Sequence, residues 1–309
     1  MAERDVGGLT AAIFEKDIHV TESLAQLFPW PVNAGASLTF CGGTSLSKGH
    51  GVIARMSEDI DIKVHLEGHL SGGQQTKAMK AVFEAIAGRL SSAGFEPADD
   101  QWLTKADQSR QITMRWRYLP RYAQAIALRP ELQIELRLST LRRPATTRPI
   151  WRMVDQFVGD TPNPLIQVPC QNIAETLAEK VMAWLRRRAD EIRDPASAKP
   201  SDRTLARHLH DVHAIAHRHP GAVDEAVNLF AEVLQEERAS YGRSFTDATS
   251  PASALQAALQ SLDESDRHRS DYDQHVVPLL FSNQNPAFDD VLNTFRDIAT
   301  RCLLAANPP

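Results

Sequence analysis

The chain has 309 residues and a formal net charge of −5: long enough for two lobes around one cleft, with no global basic signature, so that any nucleic-acid contact must come from local patches. No apolar run reaches the length of a membrane span, and Met1-Ala2-Glu3-Arg4-Asp5 lacks the basic start and apolar block of a secretion signal, so the expected location is the cytoplasm, with no membrane partner. Cys41, Cys170 and Cys302 lie far apart without metal-type spacing and read as reduced, mostly buried thiols.

Residues 10–28 carry an apolar stripe (Ile13, Phe14, Ile18, Leu24, Leu27) that predicts an amphipathic helix stopped by Pro29 and Pro31. Its charged triplet Glu15-Lys16-Asp17 reads, on physics alone, as a solvated face. Leu38 to Cys41 is a short apolar run ending in Gly42-Gly43-Thr44-Ser45, a strand breaking into a turn with exposed backbone N–H groups, which is a shape that holds phosphate. Lys48 to Arg55 forms a loop or short helix, and Asp59-Ile60-Asp61-Ile62 follows as a strand. Period-two alternation puts both carboxylates on one face and both isoleucines in the core. Like charges so close destabilise a strand unless a cation sits between them, and Mg2+ with oxygen ligands meets that need. The alternative is a surface hairpin with solvated acids. A P-loop is excluded because no Gly-Lys-Ser/Thr stands at the required spacing.

Gly72-Gly73 predicts a loop, and residues 75–93 a helix with Met79, Val82, Phe83, Ile86 and Leu90 on one side, ended by Gly94. Residues 111–118 and 131–138 alternate as strands. In the second, Gln133, Glu135 and Arg137 share the face opposite Leu132, Ile134 and Leu136, which on its own reads as a solvated strand face. From 139 to 171 the prolines (Pro144, Pro149, Pro162, Pro164, Pro169) give an irregular connector around a short segment at 150–157, where the lobe changes.

Beyond it the apolar spacing is helical over 173–188, from 207 onward, and over 222–238, 252–264, 269–281 and 288–304, with loops at 190–203 and 240–250. By itself Lys180 is an ordinary surface lysine on the first of these helices. Asp211 stands on the second among His208, His210, His213, His217 and His219. His213 and His217 have an i, i+4 spacing that a transition metal uses, but no third ligand accompanies them, so this reads as a histidine-rich solvated face without zinc.

Gly42-Gly43-Thr44-Ser45 followed by Asp59-Ile60-Asp61 resembles the signature of the polymerase-beta-like nucleotidyltransferase superfamily. With Leu46-Ser47-Lys48 and Arg55-Met56-Ser57-Glu58 added, the string is similar to the AbiEii toxin family of bacterial toxin-antitoxin and phage-defence systems, and to MenT-type tRNA nucleotidyltransferase toxins. The resemblance runs from about Glu15 to about Asp290: Glu15-Lys16-Asp17 matches a charged triplet, Glu175 to Lys180 a motif whose lysine faces the triphosphate, and Arg207 with Asp211 a further motif in which His208 replaces the more usual acid.

The resemblance implies an α+β protein with an N-terminal polymerase-beta-like mixed sheet and flanking helices over 1–150, then a C-terminal helical domain over 151–309 that completes the cleft. It implies Mg2+-assisted transfer of a nucleotidyl group from an NTP. Asp59 and Asp61 would hold one or two ions, with Glu135 completing the second position. The hydroxyl of Ser45 and the backbone N–H groups of Gly43, Thr44 and Ser45 would cradle phosphates, Lys180 would add a charge there, and Lys48 and Arg55 are secondary candidates. Asp211 would orient Lys180 or the acceptor, or act as a base. The implied acceptor is RNA, notably the tRNA 3' end, with Arg186-Arg187-Arg188, Arg142-Arg143 and Arg115-Trp116-Arg117 as local phosphate contacts. The alternatives are a small antibiotic hydroxyl, a protein side chain, or a non-enzymatic module on a remnant fold. A cognate antitoxin is implied as partner.

Overall fold

The computed structural model describes residues 9–28, 35–122, 128–157, 164–195, 204–245, 251–281 and 285–306, and the chain divides into two compact units, Met1–Asn172 and Ile173–Pro309. The expected helix stop at Pro29 and Pro31 and the loop residues 196–203 and 246–250 lie outside the described residues. Among the described residues no helix is long and apolar enough to cross a membrane.

The first unit is a mixed sheet in the order β3-β5-β6-β2-β1-β8-β7, with β4 also on β5. Its strands are β1 (Ala36–Cys41), β2 (Ile60–Leu66), β3 (Glu96–Pro97), β4 (Leu103–Ala106), β5 (Gln111–Arg117), β6 (Glu131–Leu138), β7 (Thr146–Ile150) and β8 (Ile166–Cys170). The period-two pattern decides its faces. In register, Phe40 pairs with Ile62, Ile62 with Leu136 and Leu136 with Ile112, all apolar. The alternate positions Cys41, Asp61, Glu135 and Thr113 line up across the other face. Helices α1 (Ala11–Leu27) and α3 (Gly72–Ser92) supply Val20, Leu24, Leu27, Met79, Val82, Phe83 and Ile86 to the core with the apolar face.

Two parts of this unit differ from the sequence expectation. Gly72-Gly73 is the first turn of α3, because a capping box of Ser71 and Gln74 starts the helix there and outweighs the cost of two glycines. The supposed connector contains β7, a short helix α4 (Met153–Phe157) and β8. Each strand is five residues long and carries a proline, which hides the alternation; β7 is the sheet's edge, where a missing N–H is tolerated. Because β8 pairs with β1 through Phe40 and Cys170, the first unit runs to Asn172, past the expected boundary at 150.

The described elements of the second unit are helical: α5 (Ile173–Arg193), α6 (Thr204–Arg218), α7 (Gly221–Ser240), α8 (Pro251–Gln260), α9 (Ser265–His275) and α10 (Phe288–Ala306), with short 3-10 turns between some of them. Trp184 and Phe295 pack at a tilt of 60°, 4.9 Å between centroids, in its core, with Leu177, Val181, Val212, Phe230 and Val291 buried too. The arginines expected as phosphate contacts have internal partners: Arg186 binds Glu237 at 2.7 Å and buried Arg188 binds Ser261, Glu191 and Glu264. The histidine face is not wholly solvated either. His210 and His213 are buried, bonded to Tyr272 and Thr294, while His217 and His219 are exposed.

Candidate active site

Where β1 ends, Gly42 takes φ +73, and a Cβ there would stand 2.1 Å from Asp61 Oδ2. Only glycine lets the strand turn while the carboxylate lies over its Cα. Cys41 Sγ donates to the Asp61 carbonyl at 3.3 Å, closing the same corner. The chain then winds into a short helix (α2, Gly42–Thr44) and a wider turn, Ser45–Gly49, closed by His50 N to Ser45 O at 3.0 Å. Thr44 Oγ1 shares a hydrogen bond with Ser57 Oγ at 2.9 Å and donates to the Asp59 carbonyl. That side chain ties the turn to the start of β2.

Ser45 is 2% exposed. Burial pushes the Cys170 thiol up to about 11, which the adjacent Ser45 hydroxyl and Arg148 offset in part; apart from that weak contact the hydroxyl has no hydrogen-bond partner among the described residues. Lys48, a nucleotide candidate by sequence, instead forms a tight ion pair with Asp17, both buried. Arg55 is buried as well and donates to the Met56 carbonyl at 2.9 Å.

Asp61 and Glu135 stand side by side on parallel β2 and β6, on the face opposite the apolar core. Glu135 Oε1 accepts from Gln111 Nε2 at 2.7 Å. Asp59, one position before β2, meets Arg129 Nη1 at 2.7 Å through Oδ1. Among the described residues no three acids, histidines or cysteines stand close enough to hold an ion by themselves. A magnesium ion does not require such a cage, since it is usually held by one or two carboxylates and the phosphates of its substrate. Asp61 over the glycine turn and the partly exposed Asp59 just before β2 offer that donor set, so these residues fit a metal that arrives with nucleotide.

The charged triplet on α1, expected in solvent, is buried: Glu15 at 8%, Lys16 at 0% and Asp17 at 2%. It braces the loops around the site. Glu15 Oε1 accepts from Arg121 N at 2.8 Å. Lys16 Nζ donates to the carbonyls of Arg129 (2.9 Å) and Glu131 (2.6 Å) and pairs with Glu58 at 3.4 Å. Asp17 accepts from Met153 N at 2.6 Å besides holding Lys48. Burial pulls the Lys16 pKa down, opposed by Glu58, Asp59 and Glu131. Sequence reasoning missed this bracing and missed Arg129; three consecutive charges in the middle of a helix with apolar residues on both sides were the available signal.

In the second unit Lys180 Nζ meets Asp211 Oδ2 at 2.7 Å, with side-chain exposures of 8% and 0%. The Asp211 carboxylate is thus fully buried and paired with the Lys180 ammonium.

No curated protein sequence matches the chain. Among solved structures it is similar to MenT4, a nucleotidyltransferase toxin from Mycobacterium tuberculosis, at 16% identity over 96% of this chain and 95% of that one with a TM-score of 0.46. It is also similar to JHP933 from Helicobacter pylori, at 15% identity over 95% and 93% with a TM-score of 0.44. These likenesses are distant, and the family rests on the sequence model: residues 27–294 match the model described as nucleotidyl transferase AbiEii toxin, Type IV TA system. The chain therefore belongs to the AbiEii family of nucleotidyl transferase toxins, which brings with it an NTP substrate and a cognate antitoxin.

Proposed function

We propose that the chain is a Mg2+-dependent toxin that transfers a nucleotidyl group from an NTP to the 3' hydroxyl of a tRNA, acting in the cytoplasm as part of a toxin-antitoxin or phage-defence system. The observation that carries this reading is the corner at Gly42: the Asp61 carboxylate lies directly over the glycine turn, with Glu135 beside it in the sheet.

Asp59 and Asp61 hold the metal, with Glu135 as the further carboxylate, and the backbone N–H groups of Gly43 to Ser45 receive the β and γ phosphates. A divalent cation held by these carboxylates would supply the positive charge that offsets the leaving pyrophosphate. The acceptor oxygen bonds to the α-phosphorus as the bond to the β-phosphate oxygen breaks; pyrophosphate leaves, and the hydroxyl proton passes to solvent. In the second unit Asp211 keeps the Lys180 ammonium fixed for an anionic ligand.

The test is to incubate the protein with α-labelled NTPs, Mg2+ and total RNA beside Asp59→Asn and Asp61→Asn. Label entering tRNA, lost in both variants and on adding EDTA, is the expected result. Label on protein would replace the tRNA acceptor by a side chain, and no metal-dependent transfer to any acceptor would overturn the reading.

A further inference from the structure

The contact between Asp59 and Arg129 puts a side-chain cation where the proposed reaction needs a metal. The main chain of Arg129 is held from both sides: its N–H donates to Glu58 Oε2 at 2.9 Å, and its carbonyl accepts from Lys16 Nζ at 2.9 Å. Lys16 and Glu58 are themselves paired and buried. The backbone is thus fixed by a closed ion network, while the guanidinium stays partly open, at 34% side-chain exposure against 23% for Asp59.

Among the described residues Asp59 is the guanidinium's partner, reached through one nitrogen at 2.7 Å. A guanidinium carries five N–H donors and prefers to meet a carboxylate with two of them. A one-armed contact beside partly exposed acids leaves the rest of the fork unused at the place where a polyphosphate would lie. The local charge argues the same way: Asp59 stands one position before β2, the strand on which Asp61 pairs with Glu135 of β6, and neighbouring carboxylates favour a cation held at this end of the strand.

We propose that Arg129 is the resident counter-ion of Asp59. It neutralises this carboxylate while no nucleotide is bound, competes with a divalent cation for it, and turns its unused donors to the polyphosphate when cation and nucleotide arrive together. The inference rests on the reading of Asp59 as a metal ligand. Because the main chain is anchored, the exchange needs only side-chain rotation. Metal alone then binds weakly and metal with nucleotide binds well, so that Arg129 couples the two.

The experiment measures Mn2+ binding to the full chain from the EPR signal of the free ion, with and without an NTP analogue carrying a methylene bridge between its α and β phosphates. The proteins are wild type, Arg129→Gln, Arg129→Lys and Asp59→Asn. Arg129→Gln should bind Mn2+ alone about five- to tenfold more tightly than wild type, the scale set by releasing a carboxylate from a partly exposed pair, and should lose most of the gain that the analogue confers. Arg129→Lys should keep the weak binding of metal alone, having kept the charge, and lose part of that gain, having lost the fork. If Asp59→Asn abolishes Mn2+ binding while the Gln variant matches wild type with and without analogue, the pair is merely structural and this inference alone falls. If Asp59→Asn leaves Mn2+ binding intact, Asp59 is no metal ligand and the proposed metal site falls with it. Should the Gln variant not fold, the Lys variant decides: equality with wild type in both conditions overturns the role.

Discussion

Asp61 Oδ2 occupies the space in which a side chain at position 42 would begin, 2.1 Å from the place of a Cβ. Gly42→Ala therefore forces the carboxylate aside and in addition strains a backbone at φ +73, at a cost of about 1–3 kcal/mol. The expected outcome is a folded but less stable protein whose nucleotidyl transfer falls as far as that of Asp61→Asn, read by thermal unfolding and by label transfer. Gly88 lies within α3 with nothing within 4 Å of its missing Cβ, so Gly88→Ala should instead stabilise by about 0.5–1 kcal/mol.

Lys180 and Asp211 form a buried pair, and removing one member strands the other charge. Lys180→Met is expected to destabilise by about 3–5 kcal/mol, and the double change Lys180→Met with Asp211→Leu by much less, because an apolar replacement of both leaves no unpaired charge. Urea unfolding of the singles and the double settles this; a double variant as unstable as the sum of the singles contradicts the pairing.

Lys16 joins two carbonyls and Glu58 in one place. Lys16→Met keeps the length of the stem but leaves those oxygens without their charged donor, and should cost about 3 kcal/mol or more. The same change frees the main chain of Arg129, so the loop from Leu128 to Glu131 should exchange its amide hydrogens faster. Unchanged exchange there would show that Lys16 does not brace the loop.

His213 is buried, and burial, then His217, lowers its pKa below 6.5; His268 and His19 are also lowered, burial being the main cause. Such a group binds fewer protons folded than unfolded between its folded pKa and 6.5, so stability rises with pH across that window and is lost on acidification through it. The unfolding midpoint should fall between about pH 7 and about pH 5, and His213→Asn, whose amide can replace the Nδ1 contact with Thr294, should flatten the slope. An identical slope in the variant would remove His213 from the account.

Much of the fold could be read from local pattern, because β2, β5 and β6 alternate strictly and α3, α5, α7 and α10 carry clear apolar stripes. The facing of Asp61 came from the same alternation; the glycine turn came from its composition and Glu135 from the superfamily resemblance, and the structure pairs Glu135 with Asp61 across β2 and β6. What escaped was set by contacts distant in sequence. Lys48 looks like a free cation until Asp17 is beside it, and Lys16 looks solvated until Arg129 and Glu131, more than a hundred positions away, present their carbonyls. Arg129 itself follows a stretch with no period to mark it. β7 and β8 escaped because five residues interrupted by proline show too little alternation to distinguish a strand from a connector.

The pairing of Phe40 with Cys170 also governs how this molecule can be cut. A fragment ending near residue 150 would strip β8 away and leave β1 as a bare edge, with unmet N–H and C=O groups along an apolar ribbon ready to recruit another copy. Truncation after Asn172 keeps that ribbon covered, and is where a soluble excised sheet should be sought.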